Sequence, residues 1–223
     1  MTNHARDPEG AGRHCVVITH PGPDSFDHAI ANTYGDAVRS AGGEVIVRDL
    51  YAIGFDPVLK GAEEPGPRHD DPTPDVAVEI DLLRRSDVLV LVYPIWFGGA
   101  PAMLKGYVEC VLGFGVVPDA IEAGLPSRLL GGKKLLSFTT SATSGLWLDG
   151  QGQQASLKAS FDRYLAHAFG MELHGHIHFG HITDHLTERF AGQYLEQVRE
   201  EAQRTCAAFA RSTHPASAEV LPS

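Results

Sequence analysis

The stretch Val88-Leu-Val-Leu-Val-Tyr-Pro-Ile-Trp-Phe-Gly-Gly-Ala-Pro-Ala-Met-Leu-Lys-Gly106 decides the fold. Val88 to Tyr93 is an apolar, β-branched run too short for a helix. It reads as a strand buried on both faces, as in a parallel sheet. Pro94 is expected to end that strand, because proline cannot donate to a central ladder. Trp96, Phe97 and Gly98-Gly99 then make a turn that a ligand can approach closely. Pro101 suits the first turn of a helix over Ala102 to about Val111. In an open α/β sheet, ligands sit outside the carboxyl ends of the strands at a switch point, where an aromatic, glycine-bearing loop suits a flat aromatic cofactor. An ordinary connecting loop whose Trp96 and Phe97 cover the sheet edge fits the same residues.

Working outward, Cys15–Thr19 reads as a first strand, followed by a turn at Pro21–Asp24 and by Ser25 as the cap of a helix from Phe26 to about Ala41. Gly42-Gly43 stop that helix, and Glu44–Leu50 is the second strand. Residues 51–74, with Gly54, Pro57, Gly61, Pro65, Gly66, Pro67, Pro72 and Pro74, form a long irregular excursion, of the kind that is either a functional lid or partly disordered. Val76–Arg85 has helical periodicity, and 113–132 is a further Gly/Pro-rich connection. Lys134–Thr140 is the fourth strand, Ser141–Gly152 a polar loop, Gln154–Phe169 a helix, Met171–Phe179 the fifth strand and Leu186–Arg211 a closing amphipathic helix. Five strands alternating with helices give a parallel sheet, and the favoured doubly wound arrangement is flavodoxin-like, order 2-1-3-4-5, in one α/β domain spanning 14–211. Residues 1–13 and 212–223 are expected to be flexible tails.

The composition fits this reading. The chain has 223 residues, 43% of them apolar and 21% charged, with a net charge of −10. Such a charge disfavours nucleic acid and anionic membranes as partners. Cys15, Cys110 and Cys206 form no CxxC pair, which argues against a disulfide framework or a zinc ribbon. No apolar run reaches membrane-spanning length and no signal-peptide core opens the chain, so no integral membrane segment and a cytoplasmic location are expected.

In the order 2-1-3-4-5 the ends of strands 1, 3 and 4 are neighbours, and three informative loops meet there. The first carries His20 and delivers Ser25, Phe26 and Asp27 to a helix N-terminus, where orphan amides and the helix dipole favour a phosphate. A plain N-cap accounts for Ser25 as well. Neither GxGxxG nor GxxxxGK[ST] occurs in this turn, so a Rossmann dinucleotide site or a P-loop is unsupported. The second loop is Pro94–Gly98. The third, Thr139-Thr-Ser-Ala-Thr-Ser-Gly-Leu-Trp147, is dense in hydroxyls that can bond the heteroatom edge of an isoalloxazine, or simply form solvated turns.

Together, His20-Pro-x-Pro-x-Ser-Phe26, Pro101-Ala-x-Leu-Lys-Gly106 and Ser137-Phe-Thr-Thr140 resemble the NAD(P)H:quinone oxidoreductase family, over roughly residues 14–210. That family includes DT-diaphorase-like enzymes, modulator-of-drug-activity-B-type proteins and ancillary flavoprotein subunits of potassium efflux systems. The resemblance implies a homodimer with the flavin site at its interface, tightly bound FAD (FMN in some branches), and ping-pong hydride transfer from NAD(P)H through flavin N5 to a quinone. Matched onto this chain, His20, Ser25, Phe26 and Asp27 hold the flavin phosphates and ribityl. Pro94, Ile95, Trp96, Phe97 and Gly98 hold the ring, with Thr139, Thr140, Ser141, Ala142 and Trp147 along its polar edge.

The chain departs from the family at three places. Asp27 stands where Asn is common, placing a carboxylate near phosphate. Ser141-Ala142 replaces a glycine pair. Trp147 and Gln153 stand where DT-diaphorase-like members carry Tyr and His, so these candidate catalytic positions offer an indole N–H and an amide, and neither ionises. Charge stabilisation then falls to N–H donors. His174, His176 and His178 alternate along the fifth strand and are expected to face one side. With no carboxylate or cysteine paired to them, a polar face is expected and no metal site is assigned. The leading reading is a flavin-dependent NAD(P)H:quinone oxidoreductase. Its alternatives are an azo- or nitro-compound reductase, a regulatory subunit of a potassium efflux system, and a one-electron carrier.

Overall fold

The structure is a computed structural model describing residues 10–61 and 71–213. The tail segments 1–9 and 214–223, and residues 62–70 of the expected excursion, lie outside the described residues. Five parallel strands stand in the order β2-β1-β3-β4-β5, as the sequence predicts. They are β1 (Arg13–Ile18), β2 (Glu44–Asp49), β3 (Val88–Pro94), β4 (Lys134–Thr140) and β5 (Glu172–Phe179).

Helices cover both faces of the sheet. On one side α1 (Phe26–Ser40) packs against α8 (Glu188–Thr213), and Ile30, Ala31, Tyr34, Val198 and Ala202 close over Val16, Val90, Leu136 and Phe138. On the other side lie α2 (Pro74–Arg85), α3 (Ala102–Tyr107) with a π-helical continuation Val108–Leu112, α4 (Pro118–Glu122), α5 (Gly145–Gly150), α6 (Gln153–Leu157), a π-helical turn Lys158–Arg163 and α7 (Tyr164–Phe169). Leu83, Leu104, Tyr107, Phe161 and Leu165 bury Leu89, Leu91 and Leu135 there. Every residue of β3 is buried, which explains why its sequence is apolar throughout rather than alternating.

Several expectations are corrected. The helix expected over Ala102 to Val111 and the one expected over Gln154–Phe169 both widen into π-helical turns. The polar loop 141–152 and the connection 113–132 each contain a short helix. β3 ends at Pro94, as expected, and Pro94 still pairs in register with Thr140. The ladder tolerates it because successive residues of a parallel strand address opposite neighbours. Ile95 N–H bonds the Thr140 carbonyl, so Pro94 faces the β1 side, where β1 has already ended at Ile18.

Residues 51–61 are anchored: Phe55 packs its ring against Tyr107, with centroids 5.3 Å apart, and the Pro57 backbone lies against Gly106. A Cβ at Gly106 would sit 2.2 Å from the Pro57 carbonyl oxygen, so only glycine permits this contact. No helix among the described residues is long and apolar enough to cross a membrane.

Candidate active site

A cavity of about 550 Å³ opens over the carboxyl ends of β1, β3 and β4. Of the residues picked from the sequence, His20, Ser25, Phe26, Asp27, Pro94, Ile95, Trp96, Thr140, Ser141 and Ala142 line it. Phe97, Gly98, Thr139, Trp147 and Gln153 are not on its wall. The sequence reading missed Asp24 and Thr143, and also the loop after β5, where Ile182, Thr183, Asp184 and Leu186 form the far wall. That loop is drawn in because Ser141 N–H bonds the Phe179 carbonyl, while His181 and Ile182 bond back to Thr143 and Ser141. Gly180 allows the approach, since a Cβ there would lie 2.7 Å from the Gly145 nitrogen.

The floor is the start of α1. Ser25 is its N-cap, accepting from His28 N–H, and the first-turn amides of Phe26 and Asp27 have no partners within the helix. Ser25 Oγ also bonds His28 Nδ1 at 2.8 Å, and His28 Nε2 meets Asp49 Oδ2 at 2.9 Å. A Ser–His–Asp chain therefore orients the cap, with Asp49 itself held by the Tyr51 and Ala52 amides. On the opposite lip, His20 Nδ1 lies 3.0 Å from the Gly22 nitrogen and 3.2 Å from the Gly22 carbonyl oxygen, so the turn holds the ring in place. The ring lies 5.7 Å from that of Trp96.

Asp27 is 2% exposed and accepts from the Thr140 hydroxyl at 3.0 and 3.2 Å. Burial raises its pKa, with the Thr140 bond and the neighbouring imidazoles pulling the other way. A carboxyl pushed toward its neutral form behaves more like the amide it replaces, and the repulsion of a phosphate falls accordingly.

The Trp96–Gly99 segment is a two-residue hairpin turn. Trp96 and Gly99 exchange both backbone hydrogen bonds at 3.1 Å, with Phe97 at φ 50° and Gly98 at φ 85°. Positive φ at both central residues is the type I′ geometry. Phe97 is fully exposed at the tip despite its unfavourable backbone. Gln153 Nε2–H donates to the Gly98 carbonyl, tying this turn to the start of α6. Trp147 is half-exposed on α5, whose N-cap is Ser144.

The three alternating histidines do not share a face. A β-bulge sets Leu173 opposite Leu135 and Gly175 opposite Leu136, which leaves His174 as the extra residue. His174 turns toward Glu201 of α8, 3.5 Å away, while His176 and His178 lie against Thr139 on the other side. Among the described residues no group of three or more His, Cys, Asp or Glu side chains could hold a metal.

Strand order, helix layers and a cavity at the β1/β3 switch define a doubly wound α/β domain. The chain belongs to the flavodoxin-like fold family, whose model matches residues 12–205. It is 35% identical over 128 residues to an uncharacterized NAD(P)H oxidoreductase of Haemophilus influenzae, covering 57% of this chain and 63% of that one. It is 26% identical over 152 residues to NAD(P)H dehydrogenase [quinone] 1 of Rattus norvegicus, covering 60% and 56%. The chain thus spans somewhat over half the length of these curated relatives. The NAD(P)H:quinone oxidoreductase from Methanothermobacter marburgensis superposes with a TM-score of 0.72 at 22% identity, over 86% of this chain and 98% of that one.

Proposed function

We propose that this chain is a flavin-dependent NAD(P)H:quinone oxidoreductase that binds FAD, or FMN, in the 550 Å³ cavity and uses NAD(P)H as co-substrate. The observation that carries the reading is the convergence of the ends of β1, β3 and β4 on one cavity, with a capped helix N-terminus at one side and Ile95 and Trp96 at the other. That layout offers amides for phosphate and apolar surface for a planar ring. The His20 ring and the first-turn amides of α1 would take the phosphate. Thr140, Ser141 and Ala142 would meet the polar edge of the ring. A flavin held by these residues would supply the hydride chemistry that links the dinucleotide to a quinone.

Residues off the cavity wall take supporting places. Gln153 holds the turn that carries Trp96 through Gly98, and the Trp147 indole supplies an N–H on the acceptor side. Phe97, Leu146 and Trp147 are large apolar side chains left exposed, which suits burial against a second copy of the chain. In that homodimer the partner completes the acceptor pocket.

The test is a visible absorption spectrum of the purified protein, incubated with FAD or FMN and then mixed anaerobically with NADPH and with benzoquinone. Flavin bands that bleach with the dinucleotide and return with the quinone support the reading. A chain that retains neither flavin refutes it. Light scattering at micromolar concentration tests the dimer, which Phe97→Ser should weaken.

A further inference from the structure

Behind the Ser141 wall of the cavity, buried polar groups form an unbroken chain that the flavin site alone does not require. Ser141 Oγ–H donates to the Thr143 carbonyl at 2.8 Å and also lies 3.1 Å from His178 Nε2. His178 Nδ1 is 2.9 Å from Thr139 Oγ1, which is 2.9 Å from His176 Nε2. His176 Nδ1 bonds Asp162 Oδ2, and Asp162 Oδ1 accepts from Ser137 Oγ at 2.8 Å. Asp162 and the three hydroxyl residues are nearly sealed from solvent, and the His176 side chain is 5% exposed. The π-helical turn Lys158–Arg163 carries Asp162 to this place, and such turns recur at functional sites.

The proton order follows from counting donors. A carbonyl only accepts, so the single hydrogen of Ser141 is committed to Thr143. Ser141 must then accept from His178, whose proton is on Nε2. Burial lowers the His178 pKa to about 4, with His176 and Lys158 acting the same way and Asp149 against. His178 is therefore neutral, and its Nδ1 accepts the Thr139 hydroxyl hydrogen. Thr139 must in turn accept from His176 Nε2–H. Every link points outward, from His176 Nε2–H to the cavity wall.

We propose that Asp162, His176, Thr139, His178 and Ser141 form a proton relay that delivers one proton to the acceptor oxygen in the cavity. The proposal rests on the quinone reductase reading, in which each turnover consumes a proton: NAD(P)H, quinone and H⁺ give NAD(P)⁺ and hydroquinone. In the step, the Ser141 hydroxyl rotates off Thr143, its O–H bond breaks and an O–H bond forms on the acceptor. Ser141 is reprotonated from His178 Nε2, His178 from Thr139 at Nδ1, and Thr139 from His176 Nε2. His176 keeps its Nδ1–H on Asp162. The net loss is one proton, every link reverses, and a solvent proton entering at Ser141 resets the chain. Asp162 and His176 act through their neighbours, as positioning residues and a proton store. The relay supplies what the non-ionisable Trp147 and Gln153 cannot.

The test has two arms. ¹⁵N NMR of the flavin-free protein at pH 7 should show His178 as the neutral Nε2–H tautomer and a proton on His176 Nε2. His178 carrying its proton on Nδ1 overturns the order. In the flavin-loaded protein, oxidation of the reduced enzyme by benzoquinone is followed by stopped flow in H₂O and D₂O from pH 6 to 9. Thr139→Val breaks the wire at one atom. It should slow this half-reaction about tenfold or more at pH 8, steepen its decline with pH and change the solvent isotope effect. Thr139→Ser should restore all three, and Asp162→Asn should reproduce the Val defect. Equal rates, pH profiles and isotope effects for the Val and Ser variants overturn the relay. A wild-type protein with no quinone turnover overturns the functional reading instead, while the NMR arm still decides the proton order.

Discussion

The Gly98 turn permits a prediction that separates two physical causes at one residue. Gly98 sits at φ 85°, and a Cβ added there would lie 2.9 Å from Gln153 Nε2 and 3.1 Å from its Cδ and Oε1. Gly98→Ala therefore imposes left-handed backbone strain of about 1–2 kcal/mol. It also expels the Gln153 amide, losing a hydrogen bond worth about 1 kcal/mol. Gln153→Ala alone removes only that bond, so it should cost about 1 kcal/mol. The double variant should be no less stable than Gly98→Ala, because the hydrogen bond can be lost only once. Urea unfolding of the flavin-free proteins gives the four free energies, and the coupling should be about 1 kcal/mol. Flavin titration provides a second readout, since the turn carries Trp96, and the Gly98→Ala and double variants should lose affinity equally. Strict additivity of the two substitutions would refute the argument, because it would mean that Gln153 does not hold the turn.

Three further outcomes follow from buried charge. Burial raises the Asp27 pKa, so the stability it contributes is present below its unfolded value of 3.8 and is lost as pH rises through the folded value. Asp27→Asn should remove that decline in thermal melts between pH 4 and 7 and tighten flavin binding at pH 7; an unchanged slope refutes it. His178 works with the opposite sign: its pKa falls from 6.5 to about 4, so its stability is present above pH 6.5 and lost as pH falls through about 4. His178→Asn should flatten the acid limb of the same curve, and a limb as steep as wild type would count against the assignment. Glu79, 1% exposed, accepts from Arg48 and from the Tyr107 hydroxyl at 3.2 Å, so Glu79→Ala should cost about 3 kcal/mol in urea unfolding.

Much of the fold was legible because burial on both faces writes itself as an unbroken apolar run. Val88–Pro94 shows this most plainly, and its position between turn signals carries the strand order with it. The site was legible where function coincides with a strand end or a helix cap, as at Ser25 and Trp96. The relay was not. Asp162 lies in the middle of a helical stretch, where a polar residue reads as solvated surface, and only a π-helical turn brings it to β5. His28 and Asp49 were likewise hidden, because the bond between them spans 21 residues and two elements. The loop 182–186 enters the cavity through backbone hydrogen bonds, which leave no mark on residue type.

The histidines of β5 show how one extra residue divides a pattern that the sequence presents as uniform. Leu173 pairs with Leu135 and Gly175 with Leu136, consecutive residues on β4, so His174 is a pure insertion into the ladder. Removing it leaves Leu173 and Gly175 adjacent and opposite the partners they already have, and every residue from Gly175 to Phe179 keeps its face. Deletion of His174 should therefore sacrifice only its 3.5 Å contact with Glu201, a cost of about 1 kcal/mol at most for a pair of this kind. His176 and His178 should keep their ¹⁵N signatures and the protein its flavin. Deletion of Ile177 has the opposite consequence, because one strand residue is a half-turn of the pleat. It would force either His178 and Phe179 together, or His176 and the residues before it, off their side, and Phe179 packs against Phe138 and Tyr194 in the α1/α8 core. Thermal melts and His spectra of the two deletions decide the matter. A His174 deletion as damaging as the Ile177 deletion would show that the bulge itself, and not merely the face of each histidine, holds the relay in place.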